Sequence, residues 1–120
     1  MSYFEDVKDW HKRFNLAIAD SPIEPDWPTR SRLVTEEFKE LIDAIIEQNK
    51  VKTLDGLVDL AWVCIGMAVS AGWDFDAAWE EVKKSNWSKA DENGNPIINE
   101  WGKLLKGPNF KPPKLEGIVK

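Results

Sequence analysis

The sequence is poor in the residues that form covalent cross-links and most metal centres. Among 120 residues it has one cysteine, Cys64, and one histidine, His11. A single cysteine excludes an intrachain disulfide and fits a reducing compartment, so we expect a cytoplasmic protein. These two residues are also too few for a zinc site or for the paired Glu-x-x-His motifs of a di-iron bundle. We therefore interpret His11 as a structural residue of the first predicted helix.

An excess of positive charge and a long uninterrupted apolar run are also missing. The formal net charge is −5, which argues against non-specific binding of a nucleic-acid polymer, because such binding depends on clustered positive charge. The longest apolar run, within 57–71, is shorter than the roughly 20 residues that span a bilayer, and Asp59 interrupts it. The first ten residues do not resemble a signal peptide. We expect a soluble protein whose partners include neither nucleic-acid polymers nor membranes.

The pattern that is present is helical. Apolar residues spaced three and four apart predict four helices, and the first covers about 3–16. The second begins near Thr29 or Ser31 and ends near Asn49. The third opens with Thr53 as its N-cap and ends at Gly72, a residue type favoured after a helix. The fourth runs from Asp74 as its cap to about 87.

Non-helical segments separate and follow these helices. Three prolines within 20–28 predict a connection that cannot be helical. Turn residues after position 90 predict a short hairpin or loop and then an extended tail. The predicted fold is all-α, a four-helix arrangement with an irregular C-terminal arm. We expect one domain over 1–120, with a helical core over about 3–88 and an arm over about 89–120.

Two glutamates of the second helix adjoin its apolar face. On a helical wheel Glu37 falls among the apolar positions, and Glu40 lies at the edge of that arc. The remaining charged residues of the segment point outward on the same wheel: Glu36, Lys39 and Asp43.

Two aspartates, Asp55 and Asp59, share one face of the third helix. Asp55 has an ordinary explanation, since an acidic residue in a first turn interacts favourably with the helix dipole. Asp59 lies among apolar residues, where an unpaired carboxylate would cost several kcal/mol. It needs a basic partner such as Arg32 or Lys83, a proton, or a metal ion. Paired carboxylates on successive helices favour a divalent cation.

An all-oxygen donor set of this kind suits Mg²⁺, with Mn²⁺ as an alternative. An ion that keeps positions open for phosphate oxygens and water favours phosphoryl or nucleotidyl transfer. Such a site also needs donors for the remaining phosphate charge. Lys83, Asn86 and Lys89 repeat every three residues and could supply them, although lysines near a helix C-terminus are favourable in any case.

Taken together, the motifs resemble the MazG-like nucleotide pyrophosphohydrolases of the all-α NTP pyrophosphatase superfamily, especially their short phage- and integron-type members. Those members have an Arg before an EExxEL helix, a DxLxDxxY/W-like helix, a KxSNxSK segment and a GKxxKGPNFxPP tail. The corresponding segments here read Arg32, EEFKEL, DGLVDLAW, KKSNWSK and GKLLKGPNFKPP. The resemblance extends from the first helix to Pro113. One departure is Gly56, where the commoner pattern has Glu, while Asp55 stands one position earlier.

The resemblance implies a MazG-like bundle and a metal-dependent activity. That activity is Mg²⁺-dependent hydrolysis of nucleoside triphosphates, with dNTPs as the expected substrates. Cleavage between the α- and β-phosphorus atoms would give a monophosphate and pyrophosphate, in housecleaning or control of the nucleotide pool. The residues implied as catalytic are Glu37, Glu40 and Asp59, and these with Asp55 are the implied metal ligands. A water activated by the ion would be the nucleophile, and a carboxylate would accept its proton.

The resemblance also implies how substrate and subunits are held. Lys83, Asn86 and Lys89 are the implied phosphate-binding residues, and a homo-oligomer, either a dimer or a tetramer, is the implied assembly. Base recognition is open, with four aromatic residues as stacking candidates: Trp27, Trp62, Trp87 and Phe110.

Two further interpretations stay open from the sequence. The Gly56 departure is compatible with a non-catalytic helical module that senses nucleotides or serves as a protein adaptor. The second interpretation is a purely structural oligomer, in which lysines and arginines of a neighbouring subunit neutralise the acidic face across the interface.

Overall fold

The computed structural model describes all residues from Met1 to Lys120 and is all-α. Its helices are α1 (Tyr3–Arg13), α2 (Trp27–Ile46), α3 (Lys50–Ala71) and α4 (Phe75–Trp87). There is no β-strand, and the only β-type pairing is an isolated antiparallel bridge between Ile98 and Leu104. The prediction of four helices followed by an irregular C-terminal segment is therefore confirmed. The chain forms two compact units, Met1–Phe75 and Asp76–Lys120.

The first helix starts and ends at local signals. Ser2 is the N-cap of α1, because its Oγ accepts a hydrogen bond from the Glu5 backbone N–H at 3.1 Å. The helix ends at Arg13, three residues before the predicted end, and Asn15 takes a positive φ of 59°. The connecting segment then packs along the end of α3, where the Ala19 N–H donates to the Val69 carbonyl oxygen at 3.2 Å.

The second helix begins earlier than predicted because its cap lies earlier. The Asp26 carboxylate accepts a hydrogen bond from the Thr29 N–H at 3.2 Å, and Pro28 occupies the first turn. Proline is favourable there, since the first turn of a helix needs no intrahelical N–H donor. α2 ends at Ile46, and Gln48 turns the chain with a φ of 56°.

The third helix begins at Lys50, so the prediction that Thr53 is its N-cap is wrong. The cap is Asn49, whose side chain accepts from the Lys52 N–H at 3.0 Å. The predicted end is correct: Gly72 has a φ of 72°, the left-handed conformation that glycine adopts without strain. A Cβ on Gly72 would collide with the Ser21 carbonyl oxygen.

Within the first unit, α3 packs against both α1 and α2. Its core is formed by Val7, Ile65 and Val69, with Phe4 and Trp62 packed against them. His11 is 2% exposed, and its Nδ1 lies 2.8 Å from the Ala17 carbonyl oxygen. A carbonyl oxygen can only accept, so Nδ1 carries the proton of this hydrogen bond. His11 thus ties α1 to the segment that follows it, which agrees with its predicted structural role.

α3 is longer than its apolar run. With 22 residues it is the one helix that could cross a membrane by length and composition alone. Core helices of soluble proteins meet the same criterion, and this helix packs against two others. Length and hydropathy therefore do not assign it to a membrane.

The second unit contains α4, apart from its first residue, and two turns built by side chains. The Asp91 carboxylate accepts from the N–H groups of Asn93 and Asn95 at 2.9 and 2.8 Å. The Asn99 side chain does the same for Trp101 and Lys103 at 3.0 and 2.9 Å. The tail returns to α4 through the Lys111 N–H, which donates to Ser88 Oγ at 2.9 Å.

Candidate active site

α2 and α3 approach each other closely at Gly56. A Cβ built on this residue would lie 3.2 Å from Leu41 Cα and 3.3 Å from Leu41 Cβ. Gly56 and Leu41 are both buried, so the two helix backbones nearly touch here. Gly56, the residue that departs from the commoner family pattern, is thus a position at which α3 packs directly against α2.

Glu37 is the most unusual carboxylate of this interface. Its Oε2 is buried and has no hydrogen-bond partner, which is costly for an ionised oxygen. Burial raises the pKa of Glu37, and the negative charges of Glu40 and Asp59 raise it further. A hydrogen bond with the Glu40 carboxyl group and the charge of Glu36 act in the same direction on this pKa. The carboxyl group is therefore suited to hold a proton or to face a cation.

The other three predicted metal ligands line one cleft of about 330 Å³ between α2 and α3. Asp59 is half-buried, whereas Glu40 and Asp55 are exposed. Glu37 does not line this cleft, but the charges of Glu40 and Asp59, which do line it, act on Glu37. We call this set the acidic groove: Glu37, Glu40, Asp55 and Asp59.

Two further acids line the same cleft and were not predicted, Asp43 and Glu47. The helical wheel placed Asp43 on the outer face, but the cleft extends around α2 far enough to include it. With Glu40 these residues follow an i, i+3, i+7 spacing, the signal that could have identified them. Glu47 is paired with Lys52 at 3.6 Å, and both side chains are more than half exposed.

The carboxylates are not arranged as a preformed metal-binding site. No group of three or more His, Cys, Asp or Glu side chains is arranged to hold a metal ion. The donor set is nevertheless all oxygen, and the buried Oε2 of Glu37 has no partner. Mg²⁺ is commonly held by one or two carboxylates, with waters and substrate phosphates completing its coordination. The chemistry of the residues therefore fits a magnesium ion that arrives with a phosphate ligand.

Neither of the basic partners considered for Asp59 is paired with it. Arg32 Nη2 lies 3.5 Å from Thr29 Oγ1, and Lys83 Nζ lies 3.9 Å from a Glu80 carboxylate oxygen. Asp59 thus forms no ion pair with either residue.

The predicted phosphate-binding residues belong to the second unit. Lys83 and Asn86 are exposed on α4, while Lys89 lies just beyond the end of that helix and is half-buried. Asn86 and Lys89 line a cleft of about 340 Å³ together with Trp87, Pro96 and Leu104. The structure therefore brings Asn86 and Lys89 together, and Lys83 does not line this cleft.

The stacking candidates differ in what surrounds them. Trp62 packs on the core and meets Trp10 edge-on, with ring centroids 5.7 Å apart. Trp27 donates its indole N–H to Glu24 at 2.7 Å, and Phe110 lies under Lys106. Trp87 is 79% exposed and lines the cleft that contains Asn86 and Lys89. Of the four, only Trp87 combines exposure with a cleft that holds predicted substrate-binding residues.

Comparison with known proteins gives one family. The model of the phosphoribosyl-ATP pyrophosphohydrolase family matches residues 7–86, which is 80 of the 120 residues. The matched interval includes all four carboxylates of the acidic groove and also Lys83 and Asn86. Lys89 and the C-terminal tail lie outside it. No curated protein matches the chain.

Proposed function

The chain belongs to the phosphoribosyl-ATP pyrophosphohydrolase family, within the MazG-like all-α NTP pyrophosphatase superfamily, and we propose that it hydrolyses nucleoside triphosphates. The family assigns it to the hydrolases that cleave a phosphoric anhydride of a nucleotide. We propose dNTPs as the main substrates, cleaved between the α- and β-phosphorus atoms to give a monophosphate and pyrophosphate. Housecleaning or control of the nucleotide pool would be the role. The observation that carries this proposal is the unpartnered Oε2 of Glu37 beside Glu40 and Asp59.

Phosphoribosyl-ATP is the second candidate substrate, because it gives the matched family its name and contains the same triphosphate. We favour simple nucleoside triphosphates because the tail GKLLKGPNFKPP, typical of short phage- and integron-type MazG-like members, lies outside the matched interval.

We propose that Glu37, Glu40, Asp55 and Asp59 hold Mg²⁺, with Mn²⁺ as a substitute. When bound, the ion would neutralise phosphate charge and favour deprotonation of the attacking water. The protein's own part is to supply hard oxygen donors and a base. Glu37 Oε2 is buried and has no hydrogen-bond partner in the protein, which leaves it free to accept a proton. We assign Glu37 as the group that accepts the proton of the attacking water.

The remaining substrate contacts are proposed for the second unit. Lys83 and Lys89 would bind phosphate oxygens through charge, and Asn86 would donate its amide N–H groups. Trp87, exposed beside Asn86 and Lys89, is our candidate for stacking on the base.

We also propose that the protein is a cytoplasmic homo-oligomer, a dimer or a tetramer. Support comes from a row of apolar side chains that α2 and α3 leave exposed in the single chain. Ile45 and Leu54 line one cleft, and exposed apolar patches often mark interaction sites on soluble proteins. The residues of this apolar row are Phe38, Ile42, Ile45, Ile46, Val51 and Leu54.

The test is pyrophosphate release from a panel of NTPs, dNTPs and phosphoribosyl-ATP in the presence of Mg²⁺. Glu40→Gln and Asp59→Asn should each lower kcat/KM by about a hundredfold or more, as expected for removal of groups at the reacting centre. Asp9→Asn is the matched control, because Asp9 is an exposed acid of α1. The proposal fails if no substrate is hydrolysed or if the two variants keep wild-type activity. Nucleotide binding without any product would support the sensor or adaptor instead.

A further inference from the structure

Arg30 is a half-buried cation of α2 without a partner in the protein. Its guanidinium has five N–H donors, yet it forms no ion pair and donates no hydrogen bond. Burial lowers the pKa of Arg30, and only the charge of Asp26 opposes that effect. The Asp26 carboxylate is already engaged as the cap of α2. Arg30 therefore remains charged and unpaired next to α3.

Arg30 and His11 both lie close to Gly66 of α3. A Cβ on Gly66 would lie 3.4 Å from Arg30 Nη1 and 3.1 Å from His11 Nε2. His11 is fixed by the hydrogen bond between Nδ1 and the Ala17 carbonyl oxygen, so in the neutral ring Nε2 is an acceptor. Because Gly66 has no side chain, the guanidinium and the imidazole can both approach α3 at this position.

The position of Arg30 relates it to the acidic groove. Seven residues separate Arg30 from Glu37 on α2, and seven separate Gly66 from Asp59 on α3. Seven residues are about two helical turns, so each pair shares a helix face at an axial distance of about 10.5 Å. Glu37 interacts with Asp59 just as Arg30 approaches Gly66. The interface between α2 and α3 therefore has carboxylates in its middle and a free guanidinium two turns away.

We propose that Arg30 binds the terminal phosphate group of the substrate and, after cleavage, the pyrophosphate product. The assignment rests on the proposed pyrophosphohydrolase function. A guanidinium matches phosphate oxygens with two parallel N–H donors and stays charged at every relevant pH. The cation that lines the groove's cleft, Lys52, is already paired with Glu47. Arg30, in contrast, lies at the same interface and forms no ion pair.

A structural role and a binding role for Arg30 predict opposite effects on stability. An unpaired, half-buried charge costs folding free energy, so its removal should leave the melting temperature unchanged or raise it. Arg30→Met keeps the apolar stem and removes the charge. A residue that served the fold would instead lower the melting temperature when replaced.

The decisive experiment is calorimetric binding of inorganic pyrophosphate at a fixed Mg²⁺ concentration. Arg30→Met should weaken binding by about tenfold to a hundredfold, the loss expected for hydrogen bonds to a charged group. Arg13→Met is the matched control, since Arg13 is exposed at the end of α1, and it should bind as the wild type does. Wild-type affinity in Arg30→Met overturns the proposal, as does a loss of affinity accompanied by a lower melting temperature.

Two further variants keep the test decisive if Arg30→Met does not fold. Arg30→Lys retains the charge but not the two parallel donors, so it should fold and bind pyrophosphate about tenfold more weakly. If neither Arg30→Met nor Arg30→Lys folds, Arg30 has a structural role and the proposal is overturned. Gly66→Ala would place a methyl group 3.1 Å from His11 Nε2 and 3.4 Å from Arg30 Nη1, so it should crowd both side chains and weaken binding while every charge stays in place. Gly117→Ala, at a site with nothing within 4 Å, is its control.

Failure of this proposal can be distinguished from failure of the proposed function. Pyrophosphate binding that depends on Arg30 in a protein that hydrolyses nothing would support the Arg30 site and overturn the pyrophosphohydrolase activity. Hydrolysis that is insensitive to Arg30→Met, in the presence of wild-type pyrophosphate affinity, would support the activity and overturn the role of Arg30.

Discussion

Replacement of Gly56 by Ala is the sharpest test of how closely α2 and α3 are packed beside the acidic groove. The new methyl group would lie 3.2 Å from Leu41 Cα and 3.3 Å from Leu41 Cδ1. Both separations are shorter than the roughly 3.5–4.0 Å at which carbon atoms attract. The nearer atom belongs to the backbone, so α2 itself must shift by a few tenths of an ångström.

Two opposing effects determine the size of the change. Alanine is favoured over glycine in a helix interior by about 0.8–1 kcal/mol. Inserting a methyl group into a packed core costs about 1–3 kcal/mol, and Leu41 is only 6% exposed and Ala44 only 3%. The balance predicts that Gly56→Ala lowers the free energy of unfolding by about 0–2 kcal/mol. Ser31→Ala, on an exposed position of α2, isolates the helix-propensity effect and should stabilise slightly.

Urea denaturation followed by tryptophan fluorescence measures the free energy of unfolding, and pyrophosphate release measures kcat. The groove carboxylates of α2 and α3 face each other at this interface, so a shift of α2 should lower kcat as well as stability. The reasoning is refuted if Gly56→Ala gains the full helix-propensity benefit and keeps wild-type activity. That result would mean that α2 and α3 have spare room at Leu41.

Two further predictions follow from the same interface. With the metal removed by a chelator, the free energy of unfolding should decrease as pH rises from the ordinary carboxyl range through the raised pKa of Glu37, because the folded protein binds this proton more tightly than the unfolded chain does. Thermal unfolding at a series of pH values should show a weaker dependence of stability on pH for Glu37→Gln than for the wild type. An unchanged pH dependence would contradict the raised pKa of Glu37. Ile46→Glu, on the exposed apolar row, should reduce the molar mass measured by light scattering without loss of helical circular dichroism. Val119→Glu is the control for added charge, and a wild type that is already monomeric would refute the oligomer.

The helices were predictable because their apolar residues repeat with the period of a helix. The end of α3 was predictable for a similar reason, since Gly72 is the residue type that adopts a left-handed φ. The start of α3 was not, because Thr53 and Asn49 are both good caps and the choice between them depends on the preceding turn. Gln48, with its positive φ, places Asn49 rather than Thr53 at the cap.

The acidic groove was only partly predictable. A helical wheel treats each helix alone, and it placed Glu37 and Asp59 correctly on faces that adjoin the core. It cannot reveal which part of α3 lies opposite each residue of α2. For that reason Asp43 was placed outside the cleft that it lines, and Arg30 was not recognised as a cation at the same interface.

The register of α2 against α3 links these observations. Gly66 faces Arg30 and Gly56 faces Leu41, with the Glu37–Asp59 interaction between the two glycines. Gly56 therefore limits how closely the backbones of α2 and α3 approach, whereas Gly66 leaves room for the side chains of Arg30 and His11. It follows that conservative carboxylate variants should lose activity with the fold intact, whereas substitution of either glycine should change packing and ligand affinity together. A carboxylate variant that altered the helix packing as strongly as Gly56→Ala would show that the charges, rather than the glycines, hold α2 and α3 in register.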